Sequence, residues 1–186
     1  MRVIAGKCRS LPLKTPPGDG TRPTTDRTKE TLFNVLMPYI PGCRFLDLFA
    51  GSGGIGIEAL SRGAQSCCFV ENNRKAIKII EDNLAFTKLK PDAEVLQMDA
   101  VSAIRYLDGK EQFDVVFMDP PYLHDHEKNV IMALKGSSCL CDDAVIVIEA
   151  ALETDLSWIP GSGFEIFKQK KYKTNQHIFL RMEFKE

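Results

Sequence analysis

The chain has 186 residues, 24 Lys+Arg against 25 Asp+Glu, and 44% hydrophobic residues. That is about one domain at ~150 residues each, with enough apolar side chains for a sizeable core, and it excludes disordered, collagen-like and coiled-coil classes. The near-zero net charge hides an asymmetry. Residues 1–31 carry seven Lys/Arg against three Asp/Glu, residues 164–186 carry six against three, and the middle is left strongly acidic. Basic ends suit an anionic partner.

The N-terminus Met1-Arg-Val-Ile-Ala-Gly-Lys has no hydrophobic leader. No apolar run approaches the ~18 residues of a membrane-spanning helix, so a cytoplasmic protein is expected. Arg2–Ala5 reads as a short strand, followed by the breaker cluster of residues 15–23, Thr-Pro-Pro-Gly-Asp-Gly-Thr-Arg-Pro. A helix opens at Thr24 or Thr25, whose hydroxyls suit an N-cap. It carries Leu32, Phe33, Leu36 and Tyr39 on an apolar stripe until Pro38 and Pro41 end it.

Strands and helices then alternate. Arg44–Phe49 reads as a buried strand, Gly54–Arg62 as a helix and Ser66–Glu71 as the second strand. Asn73–Lys88 has Ala76, Ile77, Ile80, Leu84 and Phe86 at helical spacing. Glu94–Met98 is a strand, Val101–Leu107 a helix, Phe113–Met118 a strand, residues 125–135 a helix and Ala144–Ala150 a fifth strand. Phe164–Lys171 and Gln176–Glu183 alternate around the turn-prone Lys173-Thr174-Asn175, the mark of a hairpin. The pattern predicts an α/β fold: a mostly parallel sheet with helices on both faces and an antiparallel hairpin at one edge.

Six cysteines lie at 8, 43, 67, 68, 139 and 141, without the paired C-x-x-C spacing of a zinc site, and are read as reduced thiols. His124 and His126 form a His-x-His without a third ligand; they are read as exposed loop histidines, and no metal is expected.

Two motifs carry chemistry. Asp47-Leu-Phe-Ala-Gly51-Ser-Gly53-Gly54-Ile-Gly56 sets Gly51, Gly53 and Gly56 between a strand and a helix, where glycines permit tight turns and close ligand approach. Glu71 follows Gly51 by 20 residues, the spacing of an acid that accepts from ribose hydroxyls. A nicotinamide dinucleotide and S-adenosyl-L-methionine compete for such a loop. Asp47 favours the second, because a carboxylate beside the glycines suits a cationic ligand and repels a pyrophosphate. Asp99, in Met98-Asp99-Ala100, either hydrogen-bonds an adenine amine or caps the helix behind it.

The second motif is Asp119-Pro120-Pro121-Tyr122, closing the apolar run Val115–Met118. Two prolines stop a strand abruptly and leave a rigid mouth at its carboxyl end, where open α/β sheets bind ligands. The Asp119 carboxylate and Pro120 carbonyl offer two acceptors beside the Tyr122 ring, a set that fits an amino group on a heterocycle.

These motifs resemble the class I S-adenosylmethionine-dependent methyltransferases with an (Asp/Asn)-Pro-Pro-(Tyr/Phe) motif. More narrowly, Arg2-Val-Ile-Ala-Gly6-Lys7, Thr21-Arg22-Pro23-Thr24-Thr25-Asp26-Arg27, Leu46–Gly53, Glu58–Ala64 and Asp119–Tyr122 resemble the bacterial 16S ribosomal RNA guanine-N2 methyltransferase (RsmD-like) family. One departure stands out: in Glu71-Asn72-Asn73 no acidic residue follows the ribose-binding Glu by two.

The resemblance implies one Rossmann-like domain with seven strands, an N-terminal extension over 1–41 and a catalytic core over 42–186. It implies S-adenosyl-L-methionine held by Asp47, Phe49, Gly51, Gly53, Gly56, Glu71, Asp99 and Ala100. The target base is placed against Asp119, Pro120, Pro121 and Tyr122. It further implies a monomer acting on ribosomal RNA, in the small subunit or an assembly intermediate. Arg22, Arg27, Lys168, Lys170, Lys171 and Lys173 are the candidate phosphate contacts, the lysines serving otherwise as protection of an edge strand. Rival readings are a DNA adenine-N6, another RNA exocyclic-amine or a protein glutamine methyltransferase, a nicotinamide oxidoreductase and a silent RNA-binding module.

Overall fold

The computed structural model describes residues 1–17, 25–121 and 126–183. Arg22, Thr24, Tyr122 and His124 lie outside them. In chain order the elements are α1 (Asp26–Leu36), β1 (Arg44–Leu48), α2 (Gly54–Ser61), β2 (Ser66–Glu71), α3 (Arg74–Thr87), β3 (Ala93–Gln97), α4 (Ala100–Leu107), β4 (Phe113–Met118), α5 (His126–Lys135), β5 (Leu140–Ala151), β6 (Phe164–Lys171) and β7 (Asn175–Met182). Seven strands form one sheet in the order β3-β2-β1-β4-β5-β7-β6. β1 to β5 pair in parallel, β7 runs antiparallel to β5, and β6 closes the edge antiparallel to β7. The order reverses between β1 and β4, the place where open α/β sheets form a ligand crevice.

Both sheet faces are covered, so the central strands are apolar on both sides. Phe45, Phe69, Val115, Phe117, Val145 and Val147 pack with Leu32, Phe33, Ile57, Leu60, Ile80 and Leu84 of α1, α2 and α3. Their strand neighbours Leu46, Leu48, Val116, Met118, Ile146 and Ile148 turn to the other face, against Ile104, Leu107, Val130, Ile131 and Leu134 of α4 and α5. Cys67 and Cys68 divide between the two cores and are buried.

Several boundaries differ from the sequence reading. α1 is capped by Thr25, whose side chain accepts from the Thr28 amide, but stops at Leu36; Tyr39 sits in the following turn, 40% exposed. Phe86 leaves the α3 stripe and is 54% exposed. β5 begins at Leu140, because its first residues pair with Phe113 before a register slip; exposed Asp142 and Asp143 masked this extension from an apolar reading. Arg2–Ala5 is not a full strand. Only Arg2 and Pro12 bridge, flanked by amide bonds from Val3 to Leu11, Ser10 to Val3 and Leu13 to Met1.

This N-terminal arm is clamped onto α2. Glu58 accepts from the Ile4 and Ala5 amides at 2.9 and 3.0 Å and pairs with Lys29 at 3.2 Å and Arg62 at 2.7 Å. Lys29 and Glu58 have no exposed surface. Gly6, at φ +84°, passes so close that a Cβ would lie 1.9 Å from the Ser61 carbonyl oxygen, so only glycine fits there.

Candidate active site

The carboxyl ends of β1, β2, β3 and β4 open into one cavity of about 1210 Å³. An acidic residue stands at each of these ends and on β5: Asp99 after β3, Glu71 ending β2, Asp47 on β1, Asp119 after β4 and Glu149 on β5. The first four line the cavity, with Phe49, Gly51, Ala100, Pro121 and His126. Gly53, Gly56 and Pro120 are not on its wall.

The loop from β1 to α2 explains this division. Phe49 takes φ +60°, a left-handed conformation that a bulky side chain adopts only at a cost, and it faces the cavity. Gly51 and Gly53 follow at φ +57° and +78°. Gly53 turns the chain into α2 as its N-cap, against Ile80 and Phe69. A Cβ on Gly56 would lie 2.3 Å from the Phe69 ring, so this glycine serves helix–strand packing. Its amide donates to Asp47 Oδ2 at 3.0 Å. The Asn83 side-chain amide bonds the Ser52 and Lys14 carbonyls, tying the loop to the N-terminal arm, and Met1 reaches the cavity wall.

Glu71 is braced on both oxygens: Oε2 accepts from the Gly51 amide at 2.9 Å and Oε1 from the Asn73 amide at 2.8 Å. Each oxygen keeps a lone pair for a ligand hydroxyl. Asn73, where the resembled family often has an acid, caps α3 by accepting from the Lys75 and Ala76 amides. Asp99 is the N-cap of α4. Hydrogen bonds from the Ser102 hydroxyl and amide hold its carboxyl below the usual range, and it also lines the cavity.

Asp47 and Asp119 differ from these capped acids. Burial pushes the Asp47 carboxyl up to about 7, against the Gly56 hydrogen bond that favours ionisation. Asp119 is raised well above the ordinary carboxylate range, first by burial, then by the charges of Glu149 and Asp47. Such a mouth prefers a cation and repels a pyrophosphate.

Other residues move from their expected settings. His126 is half-buried at the start of α5, edge-on to Phe49 at 6.4 Å between centroids, and not an exposed loop residue. Arg27 is exposed in the first turn of α1 and off the cavity wall. The basic N-terminal arm spends much of its charge internally: Arg2 pairs with Asp26, Lys7 with Asp92 and Lys14 with Asp82. Lys168, Lys170, Lys171 and Lys173 are exposed on β6 and its turn. Glu149, His177 and Tyr172 escape the sequence reading altogether, because only the β5–β7 pairing brings them together.

Sheet order, helix placement and the crevice at the β1–β4 reversal define a Rossmann-like class I methyltransferase fold. A solved structure of SMU.776 complexed with SAH shares this fold alone, at 12% identity, TM-score 0.71, and coverage of 89% of this chain and 52% of that one. The family described as conserved hypothetical protein 95 matches residues 1–181, and the chain belongs to it, the RsmD family.

Ribosomal RNA small subunit methyltransferase D of Haemophilus influenzae is 37% identical over 171 residues, 91% of this chain and 88% of the relative. The Escherichia coli protein of that name is 37% identical over 162 residues, 87% and 80% of the two chains. The solved structure of Escherichia coli yhhF superposes with a TM-score of 0.87 at 34% identity, covering 98% of each chain.

Proposed function

We propose that the protein is an S-adenosyl-L-methionine-dependent methyltransferase that modifies the exocyclic N2 amine of a guanine in 16S ribosomal RNA. The observation that carries this reading is the pair of acids, buried Asp47 and half-buried Asp119, at the cavity mouth beside a strand cut short by two prolines. The names of the relatives favour ribosomal RNA over DNA or protein as the substrate class. Among the described residues no helix is long and apolar enough to cross a membrane.

Glu71 would hold the ribose hydroxyls, Asp99 and Ala100 the adenine, and Phe49, Gly51 and Asp47 the remainder of the cofactor. When bound, S-adenosyl-L-methionine supplies an electrophilic methyl group on a cationic sulfur. The guanine N2 lone pair is delocalised into the ring, so the amine is a weak nucleophile. Asp119 would accept from the amine, localise the lone pair and aim it; the Pro120 carbonyl, expected as a second acceptor, is off the cavity wall. Positive charge then develops on nitrogen, the Asp119 and Asp47 carboxylates lower its energy, and the surplus nitrogen-bound proton would leave to solvent once the new bond has formed. The base must leave its stack to reach the cavity, as a loop or flipped nucleotide can. Tyr122 would stack on it, while Arg22, Arg27 and the lysines at 168, 170, 171 and 173 hold phosphates. We infer a monomer acting in the cytoplasm on the small subunit or an assembly intermediate.

Single-turnover transfer of a tritiated methyl group to a guanine-containing RNA loop tests the role of Asp119. Asp119→Ala removes nearly all transfer and spares cofactor binding. Asp119→Asn keeps an acceptor oxygen and retains clearly more activity than Ala, at about 10²–10³-fold below wild type. Equal loss in both folded variants replaces the acceptor role with an obligatory charge or proton transfer.

A further inference from the structure

One polar chain at the carboxyl end of the sheet has no part in that chemistry. β4 and β5 pair with Met118 opposite Ile148, so Asp119 and Glu149 come next, side by side on adjacent strands. Glu149 is also the direct antiparallel partner of His177 on β7. Its Oε2 lies 3.0 Å from His177 Nε2, and its Oε1 accepts from Asn175 Nδ2 at 2.6 Å. The Tyr172 hydroxyl lies 3.0 Å from His177 Nδ1. His177 has no exposed surface, and the Phe117 and Phe179 rings meet it edge-on.

Two protonation states fit these same heavy atoms. Neutral His177, with its hydrogen on Nε2, donates to Glu149 and accepts from Tyr172. Protonated His177 donates from both nitrogens once the tyrosine hydroxyl rotates to accept. Tyr172 stays a neutral hydroxyl throughout, since burial and the Glu149 charge push it up to about 12. Taking one proton changes the Glu149–His177 pair from net negative to neutral with no rearrangement of the backbone.

We propose that His177 and Glu149 are positioning residues for Asp119: hydrogen bonds from His177 and Asn175 fix the Glu149 carboxylate beside Asp119, and the charge carried by His177 decides how strongly that carboxylate repels it. The proposal rests on Asp119 being the acceptor for the target amine, which must stay unprotonated to work. The charged neighbours acting on Asp119 are Glu149 from β5 and Asp47 from β1. Those around Glu149 are Asp119, His177 and the polar Asn175 and Tyr172. His177 faces Glu149, Tyr172 and, across the β6 ladder, the exposed Lys170. With Glu149 negative, a proton on Asp119 is favoured. With His177 charged, that repulsion is cancelled and Asp119 releases its proton more readily.

Carbon-13 NMR of the Asp119 carboxyl in the ligand-free protein, assigned with Asp119→Asn, reads the coupling directly. His177→Gln keeps an N–H for Glu149 but cannot take a proton, and it raises the Asp119 midpoint by about one pH unit. Glu149→Gln removes the neighbouring charge and lowers the midpoint by about the same amount. In single turnovers His177→Gln loses about tenfold more rate near pH 6 than near pH 9, the equivalent of one unit. A midpoint unmoved in His177→Gln, or shifts of the same sign in both variants, overturns the proposal. Full methyl transfer by Asp119→Ala would instead overturn the acceptor reading and leave the titration result standing.

Discussion

Glu58 is a fully buried acid and Asp119 a half-buried one, and their surroundings treat them in opposite ways. Glu58 receives two cations, Lys29 and Arg62, and two backbone amides. Asp119 instead faces the carboxylates of Glu149 and Asp47. The first cluster clamps the N-terminal arm to α2 with its charges matched. The second gathers like charges at the crevice, where burial and then the neighbouring carboxylates raise the proton affinity of Asp119. Unfavourable charge gathered in a cleft is the mark of a working site, whereas matched charge at a clamp marks a structural one.

Breaking the clamp produces the largest effect. Glu58→Ala leaves Lys29 buried without its carboxylate and costs about 3–5 kcal/mol of unfolding free energy in urea titrations. Adding Lys29→Met restores much of it, since a matched apolar pair avoids the desolvation cost. Asp119→Asn removes a charge from among like charges and stays within about 1 kcal/mol of wild type or gains stability. A loss in Asp119→Asn as large as in Glu58→Ala would erase the contrast between the two clusters.

Glu71 lies between these extremes, half-braced and half-available. Glu71→Ala weakens S-adenosyl-L-methionine binding in calorimetry by about 1.5–3 kcal/mol, because the ribose hydroxyls then lack their acceptor. Because Glu71 also holds the Gly51 and Asn73 amides, Glu71→Gln is the sharper probe: it keeps an oxygen for one amide and loses the charge. Affinity unchanged in both variants removes Glu71 from the site.

The fold was legible where signals were local. Ser66–Glu71, Phe113–Met118 and Phe164–Lys171 begin and end as their apolar runs and breakers indicate. Of the site, the carboxylates at 47, 71, 99 and 119 share one cavity because each sits at a strand end, a position that alternating strands and helices specify. The roles of Gly53 and Gly56 were not legible, since a glycine kept for packing looks like one kept for a ligand. Lys29–Glu58 and Glu149–His177 were hidden for another reason. Their partners stand 29 and 28 residues apart and meet only through tertiary packing and strand register.

A smaller effect follows from the sign of the Asp47 shift. Its carboxyl is ordinarily near 3.8 and stands at about 7 in the folded chain. Below the lower value both states hold the proton; between the two the folded state holds more, so folding stability from this group falls as pH rises and levels off above about 7. A cationic ligand favours the ionised form. S-adenosyl-L-methionine should therefore bind roughly tenfold more tightly near pH 8 than near pH 6. S-adenosylhomocysteine, whose sulfur is uncharged, should show a flatter profile. Equal profiles for the two would mean that the acidic mouth does not sense the sulfonium.

The smallest expected effect concerns the edge of the sheet. Lys171 pairs across the ladder with Gln176, itself paired with Ala150 near the carboxyl end of β5. The turn holding Lys173 therefore lies at the same end of the sheet as Asp119. Lys168 pairs with Phe179, further down the strand. β6 stands three strands from β4 in the sheet order, about 14 Å at the usual strand spacing. An RNA strand with one base in the cavity would then meet Lys170, Lys171 and Lys173 before Lys168. Neutralising those three together should flatten the dependence of log affinity on log salt by about 0.7 for each phosphate that is no longer neutralised, with Lys168→Gln changing it least. If Arg27→Gln moves the slope and the lysine variants do not, the lysines only guard an exposed strand edge and the RNA crosses the cavity from the side of α1.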